Sequence, residues 1–335
     1  MKKVSILLVF ILLLAIFSGC RDSLTDTPAT QASAAAAHET PQTAQHVDAE
    51  GVHPMLFHVT GENGQEMYLF GTIHVGDERT ELAMQKLAPI VRKCDALAVE
   101  FDIVAYEKDL AAQVEAITQF ISEDGSTVDQ HMPAELYAQS SALLEEAGLM
   151  PNVMKYYNLS MWSQLVEQAA LLTKSGLDMN AGMDRALIHF CYENQIEVRD
   201  VESPELQYGL LAGFSDELNL LLIESTMKNL EQYGEEVDKL YDAWVEGNYD
   251  HVMAVLEEED TDTSDELSEE QQALVDDYNS RMLTQRNLGM RDRAVEWLKS
   301  GDKVFFAVGA AHLVDEGGLV ELLRAAGYQV EQVTY

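Results

Sequence analysis

Two apolar runs, Tyr68–Phe70 and Val304–Val308, lie towards opposite ends of this chain, and each runs into the same short motif, Gly71–His74 and Gly309–His312. That echo constrains the fold more than any other feature. A short apolar run ending in glycine reads as a buried strand whose backbone turns sharply, or is closely approached, just past its end. Both runs therefore belong in one sheet, although 238 positions separate His74 from His312. In a sheet of this kind ligands sit in the crevice beyond the strand C-termini. Each motif also leads towards a helix, whose first N–H groups can hold an anion.

The rest of the pattern supports such a sheet. Met55–Val59 and Glu66–Phe70 flank turn residues Gly61–Gly64 and read as a β-hairpin. Ala96–Val99, Ile196–Val201 and Tyr328–Val333 read as further strands. Helical periodicity is expected over 81–92, 106–121, 134–147, 159–174, 183–194, 204–212, 216–232, 235–246, 249–257, 270–299 and 318–326. The expected class is α+β, with a small mixed sheet built from the N- and C-terminal parts and a large helical insertion between them.

Chemistry at the strand ends follows from residue types. Glu100 and Glu202 each close a strand. Two histidines and a glutamate form a plausible set of metal ligands with a position left open for water. A bound ion would acidify water and polarise a carbonyl, which is hydrolytic chemistry. The bland alternative stays open, because a lone strand-end histidine is ordinarily a hydrogen-bonded structural residue. His58, His131, His189 and His251 lack partners at metal-ligand spacing, and His38 and His46 fall in a low-complexity stretch. No His-Glu-x-x-His, Gly-x-Ser-x-Gly or P-loop pattern is present.

Charge and leader bound the setting. The formal net charge of −37 leaves no basic stripe for phosphates, so nucleic acid is excluded as a partner. The acidic run from Glu257 to Glu270 reads as a solvated loop. Lys2 and Lys3 precede an apolar run, Val4–Phe17, which ends in Ser18-Gly19-Cys20. This resembles a lipoprotein signal, with residues 1–19 removed and Cys20 acylated; an uncleaved anchor is the alternative. Residues 20–50 then form a lipidated, flexible tether, and 51–335 the folded domain. The expected location is the cell membrane, on its extracytoplasmic face. Cys94 and Cys191 read as two buried thiols, with a disulfide as the other possibility.

Leu69–His74 and Val308–Leu313 resemble the TraB/GumN family, which includes the Tiki-type proteases. The likeness spans nearly the whole folded region. Its signposts come in order: the first motif, Val99-Glu100-Phe101, Gly182-Met183-Asp184, Val201-Glu202-Ser203, Asp242-Ala243-Trp244 with Gly247-Asn248, Gln285-Arg286-Asn287, and the second motif. The resemblance implies a Tiki/erythromycin-esterase-like fold and proteolysis dependent on Mn or Co rather than Zn. It marks His74, His312 and Glu100 as metal or catalytic residues. Arg286 is expected to hold an oxyanion or a substrate carboxylate, with a plain salt bridge as the alternative, and Asn287 to donate to an oxyanion. Asp184 and Glu202 become supporting acids, and Gly71 and Gly309 points of close backbone approach. The function implied is a metal-dependent hydrolase acting on a peptide or protein. The alternative is a surface lipoprotein that binds peptides without cutting them.

Overall fold

The structure, a computed structural model, describes residues 51–122, 124–257 and 267–335. The expected leader, Cys20, the tether and positions 258–266 of the acidic run lie outside the described residues. Six strands form one sheet: β1 Leu56–Thr60, β2 Glu66–Thr72, β3 Ala96–Val99, β4 Glu197–Asp200, β5 Val304–Gly309 and β6 Gln329–Gln332. Their order is β4-β3-β5-β2-β1-β6. The four strands from β4 to β2 are parallel, while β1 runs antiparallel to β2 and to β6. The architecture is α+β. The sheet does draw on both ends of the domain, and β4, from the middle of the chain, extends its β3 edge.

The order has a direct consequence. β5 lies between β3 and β2, with Val99 level with Ala307 and Thr72 level with Gly309. Both Gly-x-x-His motifs and Glu100 therefore leave the sheet from neighbouring strands at one edge. Every residue from Val304 to Val308 is buried, which is why this central strand shows no alternation of apolar and polar residues.

The helices are α1 Glu78–Val91, α2 Ile103–Tyr106, α3 Leu110–Thr118, α4 Ala134–Glu146, α5 Pro151–Met154, α6 Leu159–Lys174, α7 Met183–Glu193, α8 Pro204–Ala212, α9 Asp216–Lys228, α10 Leu230–Glu246, α11 Tyr249–Glu257, α12 Glu269–Asn279, α13 Gln285–Ser300 and α14 Leu319–Ala325. α6, α9 and α10 pack together around fully buried Trp162, Tyr233 and Trp244.

Three expected helices differ in instructive ways. The helix expected over 106–121 is two, because Asp109 stops one and caps the next by accepting from Ala111 and Ala112 N–H. The break expected at Tyr233-Gly234 falls instead at Asn229. Gly234 lies inside α10, where a Cβ would stand 2.1 Å from the Lys174 carbonyl oxygen. The glycine marks a close helix crossing rather than a helix end. The long helix expected over 270–299 contains a π-helical turn, Ser280–Thr284, immediately before Arg286 and Asn287. Such turns re-aim the residues that follow them and recur at functional sites.

Cys94 and Cys191 are both free and buried, and burial pushes each thiol up to about 12. Neither is a nucleophile. Among the described residues no helix is long and apolar enough to cross a membrane.

Candidate active site

The site is built on the strand ends. Gly309 N–H donates to Glu100 Oε1 at 2.9 Å, so the backbone of the second motif holds the acid that closes β3. A Cβ on Gly309 would come within 3.3 Å of that same oxygen. Gly71 meets the second motif directly, since a Cβ there would stand 3.1 Å from Ala310 Cα. Trp244 fixes this turn by donating its indole N–H to the Gly71 carbonyl at 2.8 Å. Both glycines thus serve the close approach expected of them.

His312 is buried, and its Nδ1–H donates to Asn287 Oδ1 at 2.6 Å. The Asn287 amide is itself oriented, because Nδ2 donates to the Gly317 carbonyl at 2.9 Å. His312 Nε2 is left buried with no hydrogen-bond partner and lies 3.8 Å from Glu100 Oε1. Burial, reinforced by the nearby Arg286 charge, lowers the His312 imidazole to about 3. It is a neutral ring with its lone pair on Nε2.

His74 is arranged in parallel. Its Nδ1 stands 2.7 Å from Asp184 Oδ2, and Asp184 Oδ1 accepts from Thr72 Oγ1 at 2.7 Å. Its Nε2 is also buried without a partner. Burial opposes the charged ring, but the Asp184 carboxylate outweighs it and holds His74 above the ordinary imidazole value. His74 is the most open member, with a side chain 24 % exposed against 1 % for His312.

A buried ion cluster backs the histidines. Arg286 Nη2 bonds Glu100 Oε2 at 2.5 Å and Glu202 Oε2 at 2.7 Å. Arg286 Nε reaches both Glu202 oxygens at 3.1 Å, and Nη1 donates to the Met282 carbonyl. Gln207 Nε2 bridges the same acids, 2.9 Å from Glu100 Oε2 and 3.0 Å from Glu202 Oε2. Burial alone would raise the Glu100 carboxyl, yet the Arg286 charge, helped by the Gly309 N–H, holds it well below the usual carboxylate range. Two carboxylates, Glu100 and Glu202, share the one guanidinium of Arg286 in a nearly dry place, while Asp184 pairs with His74.

The expected residues thus converge: His74, His312, Glu100, Asp184, Glu202, Arg286 and Asn287. Two expected roles change. Asn287 accepts from His312 through Oδ1 and gives one Nδ2 hydrogen to the Gly317 carbonyl, so it positions His312 and keeps a second N–H. Arg286 is spent on two internal carboxylates, which matches the salt-bridge alternative rather than a substrate clamp. Among the described residues no three His, Cys, Asp or Glu side chains already stand in a group that could hold a metal ion. The donor chemistry nonetheless suits a divalent cation: two unpartnered buried imidazole nitrogens, a carboxylate oxygen beside one of them, and surplus negative charge.

Gln207 and Thr72 were not singled out from sequence. Thr72 sits inside the first motif, where its hydroxyl could have been read as a partner for an acid. Gln207 lies five residues beyond Glu202, and nothing local marks it.

YbaP of Escherichia coli (strain K12), described as an uncharacterized protein, is 26 % identical over 269 residues, which span 79 % of this chain and 90 % of YbaP. YbaP of Shigella flexneri matches to the same extent. No solved structure matches. The model of the TraB/PrgY/gumN family matches residues 55–332, which takes in all six strands and every residue of the site. The chain belongs to the TraB/PrgY/gumN family.

Proposed function

We propose that this protein is a metal-dependent hydrolase of peptidase type, held at the extracytoplasmic face of the membrane through Cys20. His74, His312 and Glu100 are the side chains that would hold the metal. The observation that carries the reading is the pair of buried, unpartnered Nε2 atoms, each on a ring whose Nδ1 is held by an oriented oxygen. Leaving two such atoms empty costs free energy, about 1–3 kcal/mol each, unless a ligand repays it. A divalent ion, Mn or Co in preference to Zn, would supply Lewis acidity towards a carbonyl and a water molecule.

The protein's own groups have separate tasks. Asn287 and Asp184 hold the two rings in the tautomer that presents Nε2. Arg286 and Gln207 hold Glu100 so that Oε1 faces His312. Glu202 Oε1, which among the described residues accepts only from Arg286 Nε, would serve as the base that takes a proton from water. The test is a peptide-library digest by the Mn²⁺-supplemented protein, read by mass. Cleavage is expected from the native chain and not from His74→Ala or His312→Ala. Cleavage that survives exhaustive chelation would contradict the reading and point to a metal-free hydrolase using one histidine as base.

A second reading, peptide binding without turnover, draws on the Arg286 contacts that already occupy Glu100 and on the absence of a preassembled ligand group among the described residues. Unchanged peptide masses together with saturable peptide binding would favour it.

A further inference from the structure

Most exposed large apolar side chains of the described residues gather on one part of the helical insertion. Leu110 and Val114 lie one turn apart on the outer face of α3, and Ile121 follows just beyond its end. Met150, Val153 and Tyr156 repeat every third residue from the N-cap of α5 to just beyond its end. Exposure among these six runs from 49 % at Ile121 to 72 % at Leu110. The two segments are joined: Ile121 forms an antiparallel bridge with Tyr157, and Asn158 N–H donates to the Phe120 carbonyl at 2.7 Å.

Charge sets this face apart. The chain carries 58 acidic residues, yet positions 110–121 hold only Glu115 and positions 147–157 hold none. The basic residue there, Lys155, lies over the Tyr156 ring at 5.6 Å. An apolar surface edged by tyrosine and lysine, with Glu115 its one internal acid and Asp109, Asp124, Glu145 and Glu146 at its rim, has a composition suited to a bilayer interface contact.

Position agrees. α2 and α3 follow Glu100 at the C-terminal end of β3, and α8, which packs on α3, follows Glu202 at the end of β4. β1 begins at the same edge of the sheet, because Leu56 pairs with Phe70 near the end of β2. The segment leading back to Cys20 therefore enters the fold at the edge that carries the site. The 30 residues from 21 to 50 could span up to roughly 100 Å at about 3.3–3.6 Å per residue, far more than seating the domain on its own membrane requires.

We infer that the α3–α5 face docks on the bilayer interface, so that the site works on peptides close to the membrane. The inference rests on the proposed anchor at Cys20, which would hold the domain beside the bilayer and leave its surface to decide how it sits there. The bilayer contact is apolar, because a net charge of −37 opposes docking on anionic lipid.

The test uses the full chain, isolated with its own anchor and reconstituted in phosphatidylcholine vesicles. A polarity-sensitive dye is placed on Val114→Cys, Val153→Cys or, as a control on α13, Leu288→Cys; the native Cys94 and Cys191 are buried. Flotation with the vesicles reads the anchor, and the dye reads docking. The expected result is a blue shift and several-fold stronger quenching by lipid-borne nitroxide at 114 and 153 than at 288. Adding Leu110→Glu to the Val153→Cys protein should abolish that difference without changing thermal unfolding. Floating protein with equal quenching at all three positions overturns the docking and spares the anchor. Protein that does not float overturns both. A shift at 114 and 153 that needs high protein concentration and no lipid would assign the face to a second copy, and would overturn the inference too.

Discussion

Asn287 Oδ1 stands 2.6 Å from His312 Nδ1, and the Gly317 carbonyl fixes which way the amide points. This contact decides which nitrogen of His312 is free. Replacing Asn287 with alanine leaves Nδ1–H unpaired and the ring free to turn. Asn287→Ala is expected to weaken Mn²⁺ binding by about 10–100-fold, the usual cost of losing an outer partner of a ligating histidine. Titration calorimetry on the native and altered chains checks this.

Arg286 is the only cation bonded to Glu100 and Glu202 among the described residues. Arg286→Met should destabilise the fold by about 3–5 kcal/mol, because two buried carboxylates lose their partner. Adding Glu100→Gln and Glu202→Gln should restore most of that loss while leaving any activity absent. Urea unfolding of the single and triple variants measures both effects.

The helical insertion holds a titrating group away from the site. Glu167 is buried, accepting from Tyr233 at 2.6 Å and from Thr226 at 3.0 Å. Burial outweighs those bonds and pushes its carboxyl from 4.5 up to about 7. The folded chain thus binds this proton more tightly than the unfolded chain does. Its contribution lowers stability as pH rises from about 4.5 to about 7, and the penalty is complete above that window. Glu167→Gln removes the penalty, on the order of a few kcal/mol. The variant should melt higher than the native chain above neutral pH and show a flatter Tm-against-pH curve.

Gly234 separates two explanations of a helical glycine. Propensity alone predicts that Gly234→Ala stabilises α10 by about 1 kcal/mol. The 2.1 Å approach of the new Cβ to the Lys174 carbonyl predicts a net loss instead, because backbone would have to move. Thermal unfolding of this one variant settles the sign.

Much of this was legible in the sequence, for identifiable reasons. The strand runs before Gly71 and Gly309 are short, apolar and bounded, so their burial and their meeting could be read from pattern. Glu100 was legible because it closes such a run, and Glu202 because it follows the strand read over Ile196–Val201. The π-turn at Ser280–Thr284 was not, since hydrogen-bond slippage inside a helix leaves the apolar period nearly intact. The role of Asn287 was missed and that of Arg286 stayed open between a clamp and a salt bridge, because both are adjacent polar residues on a helix and only the packed structure shows that one faces Glu100 and the other His312. Gly234 misled because a breaker and a point of close approach look alike in sequence.

In the proposed site His74 and His312 share one divalent ion. Elemental analysis of the purified, Mn²⁺-equilibrated protein tests it most directly, beside the His74→Ala, His312→Ala double variant with its fold checked by circular dichroism. The account predicts stoichiometric metal in the native chain and its loss in the folded double variant. Equal metal content in the two proteins, or none in either, would contradict it.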